Sequence, residues 1–211
     1  MIRTIAIAAA AIAVAGLGAM YVAGFGEADP EDGFAQCRAS NVAGGAAQIG
    51  GPFELVSETG ETVTDADVID KPTLIYFGYT YCPDVCPMDA ARNAEAVDVL
   101  ESRGYMVKPV FISVDPARDT PEVMAEFTDY LHPRMIGLTG SEEQVRAASK
   151  AYRTYFQAQE PDEGEEEFYL VDHSTMSYLS LPGHGFVEFF RRDVTPEKMA
   201  DRIACFADAA S

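Results

Sequence analysis

Short apolar runs separated by polar or glycine-rich turns dominate the chain from residue 52 onward. Residues 73–77 and 107–114 are rich in β-branched and aromatic side chains, which predicts two buried strands. Between them, residues 87–103 show helical spacing, with Pro87 at the first helical position and Cys86 as the capping residue. This part of the chain therefore begins as strand, helix, strand, which is typical of an α/β domain.

The same rules predict the other elements of the domain. They are a hairpin of residues 52–56 and 62–63, a helix from Pro121 (capped by Thr120) to about 131, a strand at 135–139, a helix at 142–151 with a Ser141/Gln144 capping box, a strand at 152–159, a hairpin of 178–181 and 186–190, and a last helix from Pro196 to about 206. This order predicts a thioredoxin-like α/β domain whose first long helix carries two cysteines at its N-terminal end.

The N-terminus contains 21 consecutive uncharged residues, 5–25. At about 1.5 Å per residue they span roughly the 30 Å core of a bilayer. Arg3 precedes this stretch and acidic residues follow it, which places the N-terminus in the cytoplasm. A cleaved signal peptide is the alternative, but residues 19–23 offer no clean small-x-small cleavage site. We therefore expect a single-pass inner-membrane anchor at 1–26, a linker at 27–50, and the thioredoxin-like domain at 51–208 in the periplasm.

The formal net charge of −19 argues against nucleic acid and against anionic lipid as partners. Six carboxylates are concentrated in residues 160–167. A solvated loop is the simpler interpretation of this acidic run. The alternative is a surface that steers a basic partner electrostatically.

Two of the four cysteines, Cys82 and Cys86, are separated by three residues at the predicted start of a helix. Unpaired backbone N–H groups and the helix dipole favour the thiolate there. Two such thiols can form a disulfide or bind one metal ion together. Cys37 and Cys205 remain, and the sequence leaves open whether they are bonded to each other.

Three histidines are present: His132, His173 and His184. Each, taken singly, is more often structural than a ligand, and His173 gains weight only in combination with the thiols.

Asp172 would point away from His173 if both lie in one strand. Asp115, at the end of the second strand, either caps a loop or orients a ligand. Tyr81 and Tyr178 either line the site or belong to the core.

A set of motifs resembles the Sco/SenC copper metallochaperones, which serve cytochrome c oxidase assembly. The motifs are YFGYTYCPDVCP at 76–87, ISVDP at 112–116 with RDTP at 118–121, GLTG at 137–140, VDHS at 171–174 and YL at 178–179. Together they cover the domain from about residue 50 to 190, and as a combination they are specific. A Cys-x-x-x-Cys spacing alone would not be.

The resemblance implies that Cys82, Cys86 and His173 bind one copper ion, as Cu(I) or Cu(II). It implies delivery to the dinuclear copper site of cytochrome c oxidase subunit II, with copper received from an upstream donor. Thiolates are soft enough for Cu(I), and imidazole suits both oxidation states. Zinc also accepts two cysteines and a histidine, so the ligand types alone do not exclude it.

The alternative function is a thiol–disulfide oxidoreductase in which Cys82 and Cys86 form a redox-active pair that reduces the cysteines of the oxidase copper site. A peroxidase is a third, weaker hypothesis. The spacing of three residues and the absence of a role for His173 count against these enzymes. We therefore expect a binding and transfer protein rather than an enzyme, with the redox activity as a second role that the resemblance allows.

Overall fold

The computed structural model describes residues 33–40, 48–161, 164 and 168–211. The expected anchor at 5–25 and most of the acidic run at 160–167 lie outside the described residues. Within the part that is described, no helix is long and apolar enough to cross a bilayer. The described residues from Cys37 onward belong to one compact unit.

The helices and strands are given in chain order. They are β1 (Glu54–Ser57), β2 (Thr62–Thr64), α1 (Asp65–Val68), β3 (Thr73–Gly78), α2 (Val85–Ser102), β4 (Lys108–Ser113), α3 (Pro121–Leu131), β5 (Ile136–Thr139), α4 (Glu142–Ala151), β6 (Phe156–Ala158), β7 (Val171–His173), β8 (Ser177–Leu181), β9 (Gly185–Phe190) and α5 (Pro196–Ala209).

A seven-stranded sheet in the order β2-β1-β5-β4-β3-β8-β9 forms the centre of the domain. β3, β4 and β5 run parallel, and the other neighbours pair antiparallel. β3 is buried along its whole length, as its continuous apolar sequence predicts. The strand–helix–strand unit followed by a hairpin and a helix is the thioredoxin-like arrangement expected from the order of elements.

The first long helix begins two residues earlier than predicted. Asp84 is its N-cap and Val85 its first residue, so Cys86 lies inside the first turn instead of capping it. Pro87 is the third helical residue, where its missing N–H costs nothing because the first backbone donors of a helix have no partner within it. The Pro121, Glu142 and Pro196 helices begin where the capping residues predicted.

The strand predicted at 152–159 is limited to β6 (Phe156–Ala158). Tyr152 ends α4 instead, and Arg153 has a φ of 51°, which turns the chain before the strand starts. β6 pairs with β7 in a separate two-stranded sheet, with Phe156 opposite His173. This hairpin is the element that brings His173 to the main sheet.

A disulfide joins Cys37 to Cys205, with 5.6 Å between the two Cα atoms. The pairing that the sequence left open is therefore formed. Residues next to Cys37 also bind β9: Arg38 Nε donates to the carbonyl of Val187, and the N–H of Ala39 donates to the buried carboxylate of Glu188. Arg202 of α5 forms an ion pair with that same carboxylate. The segment before the domain is thus fastened to β9 and α5.

Candidate metal centre

Cys82 lies in the loop between β3 and α2, which we call the thiol loop (residues 79–84), and Cys86 lies one turn further on. The two thiols are not bonded to each other. The backbone N–H of Cys86 donates to the Cys82 sulfur across 3.4 Å. Cys86 has no exposed surface, whereas Cys82 is 9% exposed at the edge of the site. The two sulfurs therefore occupy different environments.

These environments give the two thiols different pKa values. Burial raises the pKa of a thiol, but the N–H groups of Asp84, Cys86 and Val85 that point at the Cys82 sulfur outweigh it, so the pKa of Cys82 lies below its ordinary value. Burial, reinforced by the neighbouring Cys82, raises the pKa of Cys86 well above its ordinary value. Cys82 is thus the more acidic thiol of the metal-free site, and Cys86 the less acidic one.

We expect iodoacetamide to alkylate Cys82 faster than Cys86, with a rate profile whose midpoint lies below the ordinary thiol pKa and below the midpoint for Cys86. Because the folded pKa of Cys82 is depressed, its thiolate persists as the pH falls below that value. The measurement is the alkylation rate of the metal-free protein between pH 5 and 10, with Cys86→Ser isolating Cys82 and Cys82→Ser isolating Cys86. Equal rates and midpoints for the two variants would contradict the assignment.

His173, the last residue of β7, presents Nε2 at 3.2 Å from the Cys86 sulfur. Its Nδ1 lies 2.9 Å from the carbonyl oxygen of Ser174. A carbonyl only accepts, so Nδ1 carries the proton, and Nε2 of the neutral ring keeps its lone pair toward the thiols. Burial lowers the pKa of His173, which favours this neutral form. The imidazole is oriented as a ligand through Nε2.

The two sulfurs and a ring nitrogen of His173 all lie within 4.8 Å of one another. Two sulfur donors and one imidazole are a soft set that fits copper, Cu(I) above all. Uptake of a metal ion would displace the proton of Cys86, since only the thiolate is a ligand. The three residues that the sequence singled out are therefore brought together by the fold.

Glycine and aromatic side chains shape the walls of the site. A β-carbon on Gly78 would lie 3.0 Å from the Cys86 sulfur and 2.8 Å from the rings of Tyr76 and Phe111, so this position requires glycine. The rings of Tyr76 and Tyr79 stand nearly perpendicular to the His173 imidazole, at centroid distances of 6.2 and 5.8 Å. Sequence reasoning did not single out either tyrosine as a wall of the site: Tyr76 belongs to the predicted buried strand, and Tyr79 was only one residue of the family motif at 76–87.

A buried carboxylate fixes the thiol loop. Asp119, which is fully buried, accepts from the N–H and hydroxyl of Thr80 and from the hydroxyl of Ser113. Burial raises the pKa of Asp119, while these donors oppose the shift. The sequence contained a weak signal for this role, namely the polar pair Asp119-Thr120 in the loop that leads from the second buried strand to the Pro121 helix.

The structure also decides between the alternatives for the other candidates. Asp115 binds Arg118 and Tyr169 with its two carboxylate oxygens, so it touches no ligand directly. Asp172 is exposed, accepts from Gln159, and points away from His173 as predicted. Tyr178 is buried among the rings of Phe77, Tyr152 and Phe186 and belongs to the core. Tyr81 is 56% exposed beside Cys82.

A second cluster, Asp98, Glu101 and His132, also brings three ligand-type atoms within 4.8 Å. Nδ1 of His132 accepts from the N–H of Arg134, so the neutral ring carries its proton on Nε2, which faces Asp98 at 3.3 Å. The guanidinium of Arg134 forms an ion pair with Glu101. Each group already has a hydrogen-bond or ionic partner, and no lone pair of the ring faces the cluster. This group is structural.

Comparisons with known proteins agree with this geometry. The family profile described as SCO1/SenC matches residues 41–208. Protein SenC of Rhodobacter capsulatus is 60% identical over 178 residues, which cover 84% of this chain and 79% of SenC. The SCO1 homolog 1 of Arabidopsis thaliana is 41% identical over 160 residues, which cover 75% of this chain and 47% of that protein.

Among solved structures, Arabidopsis thaliana ScoI with copper bound matches with a TM-score of 0.70 and 40% identity, covering 76% of this chain and 99% of that one. The match confirms the thioredoxin-like α/β fold. With a profile that spans most of the domain and relatives well above 30% identity, this chain belongs to the SCO1/SenC family.

Proposed function

We propose that this protein binds one copper ion through Cys82, Cys86 and His173 and delivers it to the dinuclear copper site of cytochrome c oxidase subunit II. The observation that carries the proposal is the convergence of two sulfurs and Nε2 of His173 within 4.8 Å. Membership of the SCO1/SenC family and the copper-bound structure of a 40% identical relative support copper as the metal. Copper is the cargo in this proposal, received from an upstream donor.

The exposure of the site suits transfer. Pro83, Asp84 and Tyr81 around Cys82 are exposed, and His173 is half-buried. An incoming thiolate of a recipient therefore has access to the edge of the site. Copper passes by ligand exchange, in which each new bond to the recipient replaces one bond to Cys82, Cys86 or His173. With three protein donors, a coordination position remains for the first incoming ligand.

We expect reduced full-length protein, purified in detergent, to bind one equivalent of Cu(II) with a sulfur-to-copper charge-transfer band. In His173→Ala we expect that band to shift and the affinity to fall by more than about tenfold, because a nitrogen donor has been lost. The measurement is a copper titration followed by absorption and electron paramagnetic resonance.

His184→Ala is the matched control for that titration, since His184 lies in the β8–β9 turn, outside the three-residue cluster. It should bind copper as the wild type does. A wild-type protein without a charge-transfer band, or a His173→Ala spectrum identical to wild type, would overturn the proposed ligand set.

A second function, thiol–disulfide exchange, is favoured by the difference between the pKa values of Cys82 and Cys86. The Cys82 thiolate would attack a disulfide of the oxidase copper site and release one of its sulfurs as a thiolate. Cys86 would then resolve the mixed disulfide, leaving a Cys82–Cys86 disulfide and a reduced oxidase dithiol. Two electrons pass from this protein to its partner. His173→Ala separates the functions, because disulfide reduction should survive it and copper binding should not.

We also propose that residues 1–26 anchor the chain in the inner membrane and that residues 27–50 link the anchor to a periplasmic domain at 51–208. The uncharged stretch at 5–25 and the charges that flank it support this arrangement. The Cys37–Cys205 disulfide supports it as well, because such bonds persist in oxidising compartments such as the periplasm.

A further inference from the structure

Arg118 contacts aromatic rings from both of the segments that carry the candidate ligands. Its guanidinium carbon lies 3.6 Å from the ring centroid of Tyr169, 4.9 Å from that of Tyr81 and 5.8 Å from that of Tyr79. Tyr79 and Tyr81 belong to the thiol loop, whereas Tyr169 precedes His173 by four residues. A cation over an aromatic face is attracted by the ring. One side chain thus joins the thiols' segment to the imidazole's segment.

Asp115 fixes the orientation of this cation. One carboxylate oxygen of Asp115 accepts from Nε of Arg118, and the other accepts from the hydroxyl of Tyr169 at 2.7 Å. Asp115 is buried, so the ion pair is only weakly screened by water. Because a guanidinium is planar and its Nε is held, the plane that stacks on Tyr169 is fixed as well.

The hairpin that carries His173 depends on such contacts for its position. β6 and β7 have three residues each and lie outside the main sheet. A two-stranded ribbon of this size is only marginally stable without tertiary contacts. Besides the Arg118 contact, the N–H of Val171 donates to the hydroxyl of Tyr79 across 3.3 Å. Both contacts link the hairpin to the thiol loop or to the loop after β4.

We propose that Arg118, oriented by Asp115, is a positioning residue that holds the β6–β7 hairpin against the thiol loop and so keeps His173 within reach of the thiols before copper arrives. This inference rests on the proposed copper site. Neither Arg118 nor Asp115 is a ligand. Arg118 and Asp115 instead order the His173 imidazole before copper binds. Less entropy is therefore lost when the site forms.

The test is a double-mutant cycle on Cu(II) affinity in the full-length protein, using Arg118→Lys and His173→Ala. Lysine keeps the charge and the aliphatic stem but loses the planar stacking. With His173 present, we expect Arg118→Lys to weaken Cu(II) binding about tenfold and to shift the charge-transfer band. In the His173→Ala background it should change the affinity less than about twofold, because the group it positions is gone.

Arg146→Lys is the matched control. Arg146 lies 4.9 Å from the ring centroid of Phe156 in the same hairpin and pairs with Glu142 in its own helix. None of its described contacts involves the thiol loop, so copper binding should be unchanged. An equal loss for Arg118→Lys in both backgrounds, or no loss in either, would overturn the inference.

Hydrogen exchange of the metal-free protein gives an independent readout. The amides of Val171 and Gln159, which bind Tyr79 and the Leu170 carbonyl, should exchange faster in Arg118→Lys, while amides in α5 should not change. Unchanged exchange in the hairpin would overturn the positioning role even if copper binds as proposed. If the wild type instead fails to bind copper through these residues, the proposed function falls, and faster exchange still supports the Arg118 contact.

Discussion

Replacing Cys86 with serine is expected to abolish stoichiometric Cu(I) binding. In the proposed site Cys86 would be the central donor, since its sulfur lies 3.2 Å from Nε2 of His173 and its own N–H donates to the sulfur of Cys82. A hydroxyl oxygen is a hard, neutral donor and a poor ligand for Cu(I). The loss should exceed the roughly 10- to 100-fold that removal of a group supporting a metal ligand costs. The measurement is competition for Cu(I) against a chromophoric chelator.

The matched control for this prediction is a Cys37→Ser/Cys205→Ser double variant. It also exchanges sulfur for oxygen, but at sulfurs already bonded to each other and therefore not available as thiolates. It should bind one Cu(I) with wild-type affinity. Tight, stoichiometric binding by Cys86→Ser would show that the thiol at this position is not a ligand. Circular dichroism must show that the serine variant is folded, which we expect because serine is slightly smaller than cysteine.

The same double variant is expected to show the largest loss of stability among the substitutions considered. Cys37 and Cys205 are 168 residues apart in sequence. In the chain-entropy account, a loop of that length corresponds to a stabilisation of up to about 5 kcal/mol. The free energy of unfolding in urea, followed by circular dichroism, should fall by at least about 2 kcal/mol, the lower end of the usual range for such bonds.

Cys82→Ser/Cys86→Ser is the comparison for stability, because it removes two thiols that are not bonded to each other. Its free energy of unfolding should fall by less than that of the Cys37/Cys205 variant, because each new hydroxyl keeps a hydrogen-bond partner of the sulfur that it replaces, the backbone N–H of residue 86 or Nε2 of His173. If the Cys37/Cys205 variant is as stable as wild type, the disulfide does not hold the segment before the domain. In that case Glu188, with its contacts to Ala39 and Arg202, would be sufficient to hold it.

Local sequence signals predicted most of the elements because their causes are local. The capping residues Thr120 and Ser141 accept hydrogen bonds from their own first turns, as predicted, and Thr195 does the same before Pro196. The start of α2 was placed too late because proline is tolerated anywhere in the first helical turn, not only at its first position. The strand predicted at 152–159 was too long at its N-terminal end, because tyrosines favour strands on average. Here Tyr152 instead packs into the core at a helix end.

Residue types and family motifs identified the candidate ligands, but no local sequence pattern could predict that they lie close together in space. His173 lies 87 residues from Cys86, and a two-stranded hairpin outside the main sheet brings it back. The contacts of Asp115 and Arg118 with Tyr169 likewise join residues about 50 positions apart. Such contacts depend on the tertiary fold, and no periodicity or spacing of residues along the sequence indicates them.

The unequal burial of the two sulfurs implies a direction for the release of the ion. Cys86 forms the floor of the centre, while Cys82 and the half-buried imidazole form its rim. In the proposed delivery, a recipient sulfur approaching from solvent would reach the rim first, and the buried Cys86 would be the donor farthest from it. A complex trapped midway would then hold copper between the recipient and one of the two rim donors, Cys82 or His173.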